Sequence, residues 1–172
     1  MVTPVNFDVP KAYREMAAGG AQFRGLTLLN YVDQISGLLR IYGCVDMLDY
    51  GCGAGDGYRE PHRLAEKLGV VATLYDPSFP EFDKLPDGSF DAVICSDVLE
   101  HIYEDEVDNF IATLFSYADK LVWASVCCRP AKKNFYGTQI NLHLTIRPIE
   151  WWAAKFTEHA PAGVAWDLVE AP

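Results

Sequence analysis

Asp49-Tyr50-Gly51-Cys52-Gly53-Ala54-Gly55 is the stretch that decides the fold of this chain. The run 45–50 leading into it is short, mostly apolar and closed by glycines, which predicts a buried strand. The glycines then allow tight turning and a close approach of a ligand to the backbone. The spacing is not that of a dinucleotide fingerprint, because G-x-G-x-x-G begun at Gly51 needs a glycine where Asp56 stands. No Gly-Lys-Ser/Thr follows, so it is not a phosphate loop either. A strand-end acid followed by G-x-G-x-G suits a ligand with a positive amino group and no phosphate. Twenty-one residues past Gly55, Asp76 ends the next predicted strand, where a carboxylate can accept hydrogen bonds from both hydroxyls of a ribose.

Around this loop, strands and helices alternate. Helical spacing of apolar residues and Pro/Gly punctuation predict helices over 10–18, 21–42, 59–68, 104–118 and 148–159. Strands are predicted over 45–50, 70–75, 90–96, 121–127 and 164–169. The connection 77–88 is Pro-rich and too short for a full helix. Strands separated by crossovers imply an α/β, doubly wound, mostly parallel Rossmann-like sheet of about five or six strands. In such a sheet the chemistry sits just beyond the carboxyl ends of the strands. Residues 1–43 are expected to form an N-terminal helical arm or lid, and residues 44–172 the sheet domain.

Composition narrows the function. The 172 residues carry 14 Lys+Arg against 24 Asp+Glu, a formal charge of −10, which disfavours nucleic acid and anionic membrane surfaces as partners. No apolar run approaches the roughly 20 residues of a membrane span. Met1 to Asp8 shows no basic region followed by an apolar one, so no signal peptide is expected. Cys44, Cys52, Cys95, Cys127 and Cys128 are odd in number, scattered and without C-x-x-C, which suits reduced core thiols in a cytoplasm. A vicinal redox role for Cys127-Cys128 is disfavoured, since adjacent strand residues point to opposite faces.

The loop 49–55 resembles motif I of the class I S-adenosylmethionine-dependent methyltransferases. Leu85-Pro86-Asp87-Gly88-Ser89-Phe90-Asp91-Ala92-Val93-Ile94-Cys95-Ser96-Asp97-Val98-Leu99-Glu100-His101-Ile102 resembles that family's fourth-strand motif. The likeness runs from about 45 to 126. More narrowly, the chain resembles small uncharacterised bacterial and phage members, which carry a similar Tyr-Asp-Pro connection and a later segment like His143 to Trp152. The resemblance implies S-adenosylmethionine as cofactor, bound by the loop residues Asp49, Gly51, Cys52, Gly53 and Gly55, with Asp49, Gly51 and Gly53 along its methionine part and Asp49 acting on the ammonium through the loop. It implies Asp76 on the ribose hydroxyls, Pro77 and Phe79 against the adenine, and Ser96 and Asp97 beside the methionine and the reacting methyl. The family usually has a further helix and strand where only 77–84 intervenes here, so that edge of the sheet is trimmed. A short sheet, or a partner such as a second copy paired through a sheet edge, would follow.

Methyl transfer from a sulfonium is an in-line displacement that asks for alignment, desolvation and sometimes a base. His101, just after the third predicted strand, and His143, in the loop after Cys128, are the candidate bases. The competing reading of His101 is a bond to backbone at that turn. Tyr13, Phe23 and Arg24 of the arm either shape the substrate site or simply pack on the sheet. One indole of Trp151-Trp152 is expected to anchor the core. Lys132-Lys133 greets an anionic substrate or lies in a solvated loop. No metal is expected, because Asp97 and Glu100 alone do not make a site. A base-modifying enzyme would carry Asp/Asn-Pro-Pro-Tyr/Phe where Ser96-Asp97-Val98-Leu99 stands, and a cytosine-C5 enzyme a Pro-Cys. The acceptor is therefore expected to be a small molecule, a sugar or a lipid-linked intermediate. The alternatives are a protein substrate and a non-catalytic cofactor-binding subunit.

Overall fold

The computed structural model describes residues 8–21 and 23–172. The N-terminal stretch weighed for a signal peptide lies, up to residue 7, outside them. Strands β1 (Asp46–Tyr50), β2 (Val71–Tyr75), β3 (Phe90–Ser96), β4 (Ala118–Val126) and β5 (Ala165–Glu170) form one sheet in the order β2-β1-β3-β4-β5. Every neighbouring pair is parallel. The helices are α1 (Val9–Ala18), α2 (Val32–Ile41), α3 (Leu64–Leu68), α4 (Val107–Ser116) and α5 (Ile149–His159). The α/β, doubly wound expectation holds, with five strands among the described residues and no element between β2 and β3.

Alternation along the strands sends successive side chains to opposite faces and so builds two cores. Leu48, Val93, Cys95, Val122 and Ala124 meet Val107, Ile111 and Leu114 of α4 and Trp152 and Phe156 of α5. Met47, Ala92, Ile94, Leu121 and Trp123 meet Ile35 and Leu39 of α2 and Leu64 and Leu68 of α3. Complete burial of a large aliphatic or aromatic side chain stabilises by about 1.5–3 kcal/mol. Trp152 is the anchoring indole of its pair, fully buried, while Trp151 stays half-buried under the cations of Arg147 and Lys155. Helix α1 begins where the Asp8 carboxylate accepts the Lys11 N–H at 3.0 Å and Pro10 occupies the first turn. It packs through Ala12 and Met16 on Phe135 and Leu142, a third, smaller core.

Two predicted helices are shorter than their apolar patterns. The helix predicted over 21–42 is only α2, preceded by a 3-10 turn at Thr27–Tyr31. Gly25 stands at φ +66°, which no continuing helix allows. The helix predicted over 59–68 shrinks to Leu64–Leu68. Pro61 disfavours helical geometry at the residue before it, and Arg63 adopts φ +49°. Helix α2, placed with the arm by its position in the chain, instead covers one face of the sheet.

Strand β1 has β2 on one side and β3 on the other, so the winding reverses at β1. Open parallel sheets bind ligands in the crevice at such a point, beyond the strand ends.

Candidate functional site

A cavity of about 640 Å³ opens beyond the carboxyl ends of β1, β2 and β3, within the size range of small-molecule sites. Gly51 and Gly53 form part of its floor, Tyr75, Asp76, Pro77, Ser78 and Phe79 one wall, and Ser96, Asp97, Val98 and His101 another. The arm closes it from above with Val9, Pro10, Tyr13 and the segment 23–27. Tyr13, Phe23 and Arg24 thus border the cavity as well as packing.

The glycine loop presents no free backbone donor. Gly51 and Cys52 donate to the Tyr75 carbonyl, Gly53 to the Asp76 carboxylate, Ala54 to the Phe23 carbonyl, Gly55 to Cys52 and Asp56 to Arg24. A phosphate cradle needs such N–H groups unpaired and aimed at the ligand. Only a 3-10 turn, Asp56–Tyr58, follows the loop. Gly51 sits at φ +104°, and a Cβ there would lie 2.3 Å from Val98 Cγ2.

Carboxylates dominate the electrostatics. Asp76, Asp97 and Glu106 line the cavity, and Asp49 and Glu100 are buried beside it. None of these five is ion-paired among the described residues, whereas Arg24, the cation on the rim, is held by Asp56 at 2.8 Å. Asp76 accepts the N–H groups of Gly53 at 2.9 Å and Ser78 at 2.8 Å. Burial nonetheless raises its carboxyl above the ordinary range. Asp49 lies beneath the loop, 2% exposed, with its Oδ2 accepting the Tyr58 hydroxyl at 2.7 Å. Burial pushes it up to about 7; the Tyr58 bond works against the rise and Asp76 adds to it. A second void of about 20 Å³, lined by Thr27, Asp49, Gly51, Cys52 and Ser96 among others, has room for about one water.

On the β3 side, Leu99–His101 forms a 3-10 turn rather than the start of a helix, and α4 begins only at Val107. Asp97 enters that turn at φ +61°, a strained conformation for a non-glycine residue, and Thr27 donates to it at 3.4 Å. His101 Nδ1 bonds the Leu142 carbonyl at 2.8 Å and lies 2.7 Å from the Tyr13 hydroxyl. A carbonyl only accepts, so Nδ1 carries the hydrogen and Nε2 the lone pair. The backbone bond foreseen as the competing role of His101 is therefore present, on a residue that also lines the cavity. Burial lowers its imidazole to about 4; the Leu142 bond opposes this and His143 adds to it.

Of the sequence-predicted cofactor residues, Gly51, Gly53, Asp76, Pro77, Phe79, Ser96 and Asp97 meet at the cavity. Asp49 and Cys52 sit behind the loop on the smaller void. Gly55 touches neither space and faces the Phe82 ring. His143 is not on the cavity wall, but its ring centroid is 4.9 Å from that of His101. Among the lining residues not foreseen were the segment 25–27, Tyr50, Ile102, Glu106, Phe110 and Leu142. All five cysteines are free, and Cys44, Cys52 and Cys95 are buried. No described helix is long and apolar enough to cross a membrane. No protein-family model matches the chain, and no curated protein matches it.

Proposed function

We propose that the chain binds S-adenosylmethionine in this cavity and transfers its methyl group to a small-molecule, sugar or lipid-linked acceptor in the cytoplasm. The observation that carries the reading is the convergence of unpaired carboxylates on a loop whose N–H groups are all occupied. That pairing favours a cationic, ribose-bearing ligand over a dinucleotide, whose pyrophosphate would find no free N–H in the loop and carboxyl groups around it. The bound cofactor supplies an electrophilic methyl on a sulfonium.

The chain's own groups do the rest. The Asp76 oxygens accept the Gly53 and Ser78 N–H groups and the Ser78 side chain, and the acceptor capacity that remains faces the ribose. Asp49 acts on the ammonium across the small void beneath Gly51. Tyr50, Tyr75, Phe79 and Phe110 give the cavity aromatic walls, which exclude water and favour a cation over a ring face. Tyr13 and the segment 23–27 close the acceptor side, so bound groups are held for in-line attack.

Calorimetry with S-adenosylmethionine, its demethylated product and NADH tests the reading. The first two should bind one per chain and NADH should not; tight binding of NADH alone would overturn it. Binding without turnover on a metabolite panel would remove the enzymatic half and leave a binding subunit.

The Asp49 carboxyl also predicts a pH dependence. With its value near 7, it is mostly neutral at pH 6 and mostly ionised at pH 7.5, and the ammonium prefers the ionised form. Cofactor affinity should therefore rise roughly tenfold over that interval. It should fall again above pH 8, as an α-amino group loses its proton. Asp49→Asn should flatten the rising limb; an unchanged limb in that variant would remove Asp49 from the ammonium.

A further inference from the structure

The turn after β3 buries a carboxylate that the fold leaves uncompensated. Glu100 is fully buried; its Oε1 accepts the Cys127 N–H at 2.9 Å, while Oε2 has no partner. No lysine or arginine pairs with it among the described residues, and burial, with the neighbouring Asp97 adding to it, pushes its carboxyl well above the ordinary range. Buried charges are normally paired or bound to a metal. Two imidazoles complete the group: one ligand atom each from Glu100, His101 and His143 lie within 4.8 Å of one another. His101 Nδ1 is bonded to the Leu142 carbonyl and His143 Nδ1 to the Arg129 carbonyl. Carbonyls fix the hydrogen on Nδ1 and leave the lone pair on Nε2 in both rings, the arrangement by which metal-ligating histidines are usually oriented.

We propose that Glu100, His101 and His143 form a binding site for one divalent first-row transition-metal ion at the edge of the cavity. Two imidazoles and a carboxylate suit such an ion, whereas magnesium and calcium prefer oxygen ligands throughout. The ion would stabilise Glu100 as a carboxylate against its burial and the neighbouring Asp97. Three protein ligands leave a coordination position open, and His101 lies on the cavity wall. An acceptor oxygen bound there would lose its proton more readily, which replaces His101 as a general base. This last consequence rests on the methyl-transfer reading; metal binding itself does not.

A second group, Asp108, Glu158 and His159, also brings carboxylates and an imidazole together, with one imidazole in place of two. There Asp108 is already paired with Lys155 and His159, so it serves as the control. The full chain, stripped with a chelator and free of cofactor, is titrated with Zn²⁺ by calorimetry and with Co²⁺ by visible absorption. One ion per chain is expected, with cobalt bands of nitrogen and oxygen ligation. His143→Ala should weaken Zn²⁺ at least tenfold at unchanged circular dichroism, and Asp108→Asn should leave it unchanged. Glu100→Gln, which keeps an acceptor for Cys127, should weaken Zn²⁺ similarly and decides the matter if the histidine variant does not fold. Absence of one-to-one binding, an affinity indifferent to both His143→Ala and Glu100→Gln, loss in Asp108→Asn, or a cobalt–thiolate charge-transfer band from Cys127 or Cys128 would each overturn the site. Because cofactor is absent from the titration, failure of the metal site and failure of the methyl-transfer reading are separately visible.

Discussion

Gly25→Ala is expected to weaken S-adenosylmethionine binding by at least about thirtyfold while the sheet stays folded. Gly25 stands at φ +66°, and a Cβ there would lie 1.9 Å from the Cys52 carbonyl oxygen. The contact is backbone to backbone, so no rotamer change relieves it. Its counterpart across the crossing is Gly53, whose added Cβ would lie 2.6 Å from the Phe23 carbonyl oxygen. Two backbone hydrogen bonds stitch the segments together, Ala54 to Phe23 at 2.9 Å and Asp56 to Arg24 at 3.1 Å. A left-handed alanine costs about 1–2 kcal/mol and overpacking about 1–3 kcal/mol more. The cheapest relief is separation of 23–27 from the loop, which opens the cavity and takes Thr27 away from Asp97. The proper comparison is Gly43→Ala: the same left-handed φ, +60°, with nothing within 4 Å of the added Cβ. It should cost only the conformational part and leave binding intact. Calorimetry for affinity and circular dichroism for the sheet decide it, and equal affinities in the two variants would refute the close crossing.

That crossing marks where the sequence stops being legible. The loop 49–55, Asp76 and the run 90–97 each carry a local signature, so strand ends, glycine spacing and the acid's position all survive in the one-dimensional pattern. Gly25 sits inside a stretch whose apolar residues recur at helical spacing, and nothing local shows that a second backbone must pass against it. A glycine interrupting an amphipathic pattern was the available signal. The same limit applies to Glu100 and His143. The Glu-His pair after β3 is visible in sequence, but the histidine that joins it comes from a long loop without periodicity. That loop is placed by pairing Leu144 and Thr145 N–H groups with the Glu100 carbonyl, at 2.7 and 3.0 Å. The absence of a helix between β2 and β3, in contrast, was readable directly, because Pro77, Pro80 and Pro86 leave no room for one.

Asp76→Asn should cost about 1–3 kcal/mol of cofactor affinity, a loss of roughly five- to 150-fold, through weakened charge-assisted hydrogen bonds. The carboxylate serves two masters, since Gly53 and Ser78 donate to it from opposite sides while the ribose needs its remaining lone pairs. An amide keeps one acceptor oxygen and turns its NH2 group towards a backbone donor, so part of any loss could come from a displaced loop. Stability offers one separation. Burial already holds the carboxyl above its ordinary value, so the ionised form at neutral pH carries a cost that asparagine removes. The lost backbone bond and the removed desolvation cost oppose each other, and the melting temperature should move little. A ligand cycle offers the sharper one. Methylthioadenosine and its 2′,3′-dideoxy analogue should differ in affinity for the parent chain and bind nearly alike to Asp76→Asn, because the hydroxyls have lost their partner. A displaced loop would weaken both analogues equally and preserve their ratio. A preserved ratio would take Asp76 off the ribose and leave it as a clamp on Gly53, in which case the cavity's negative charge, not the hydroxyl recognition, would carry the preference for a cationic ligand.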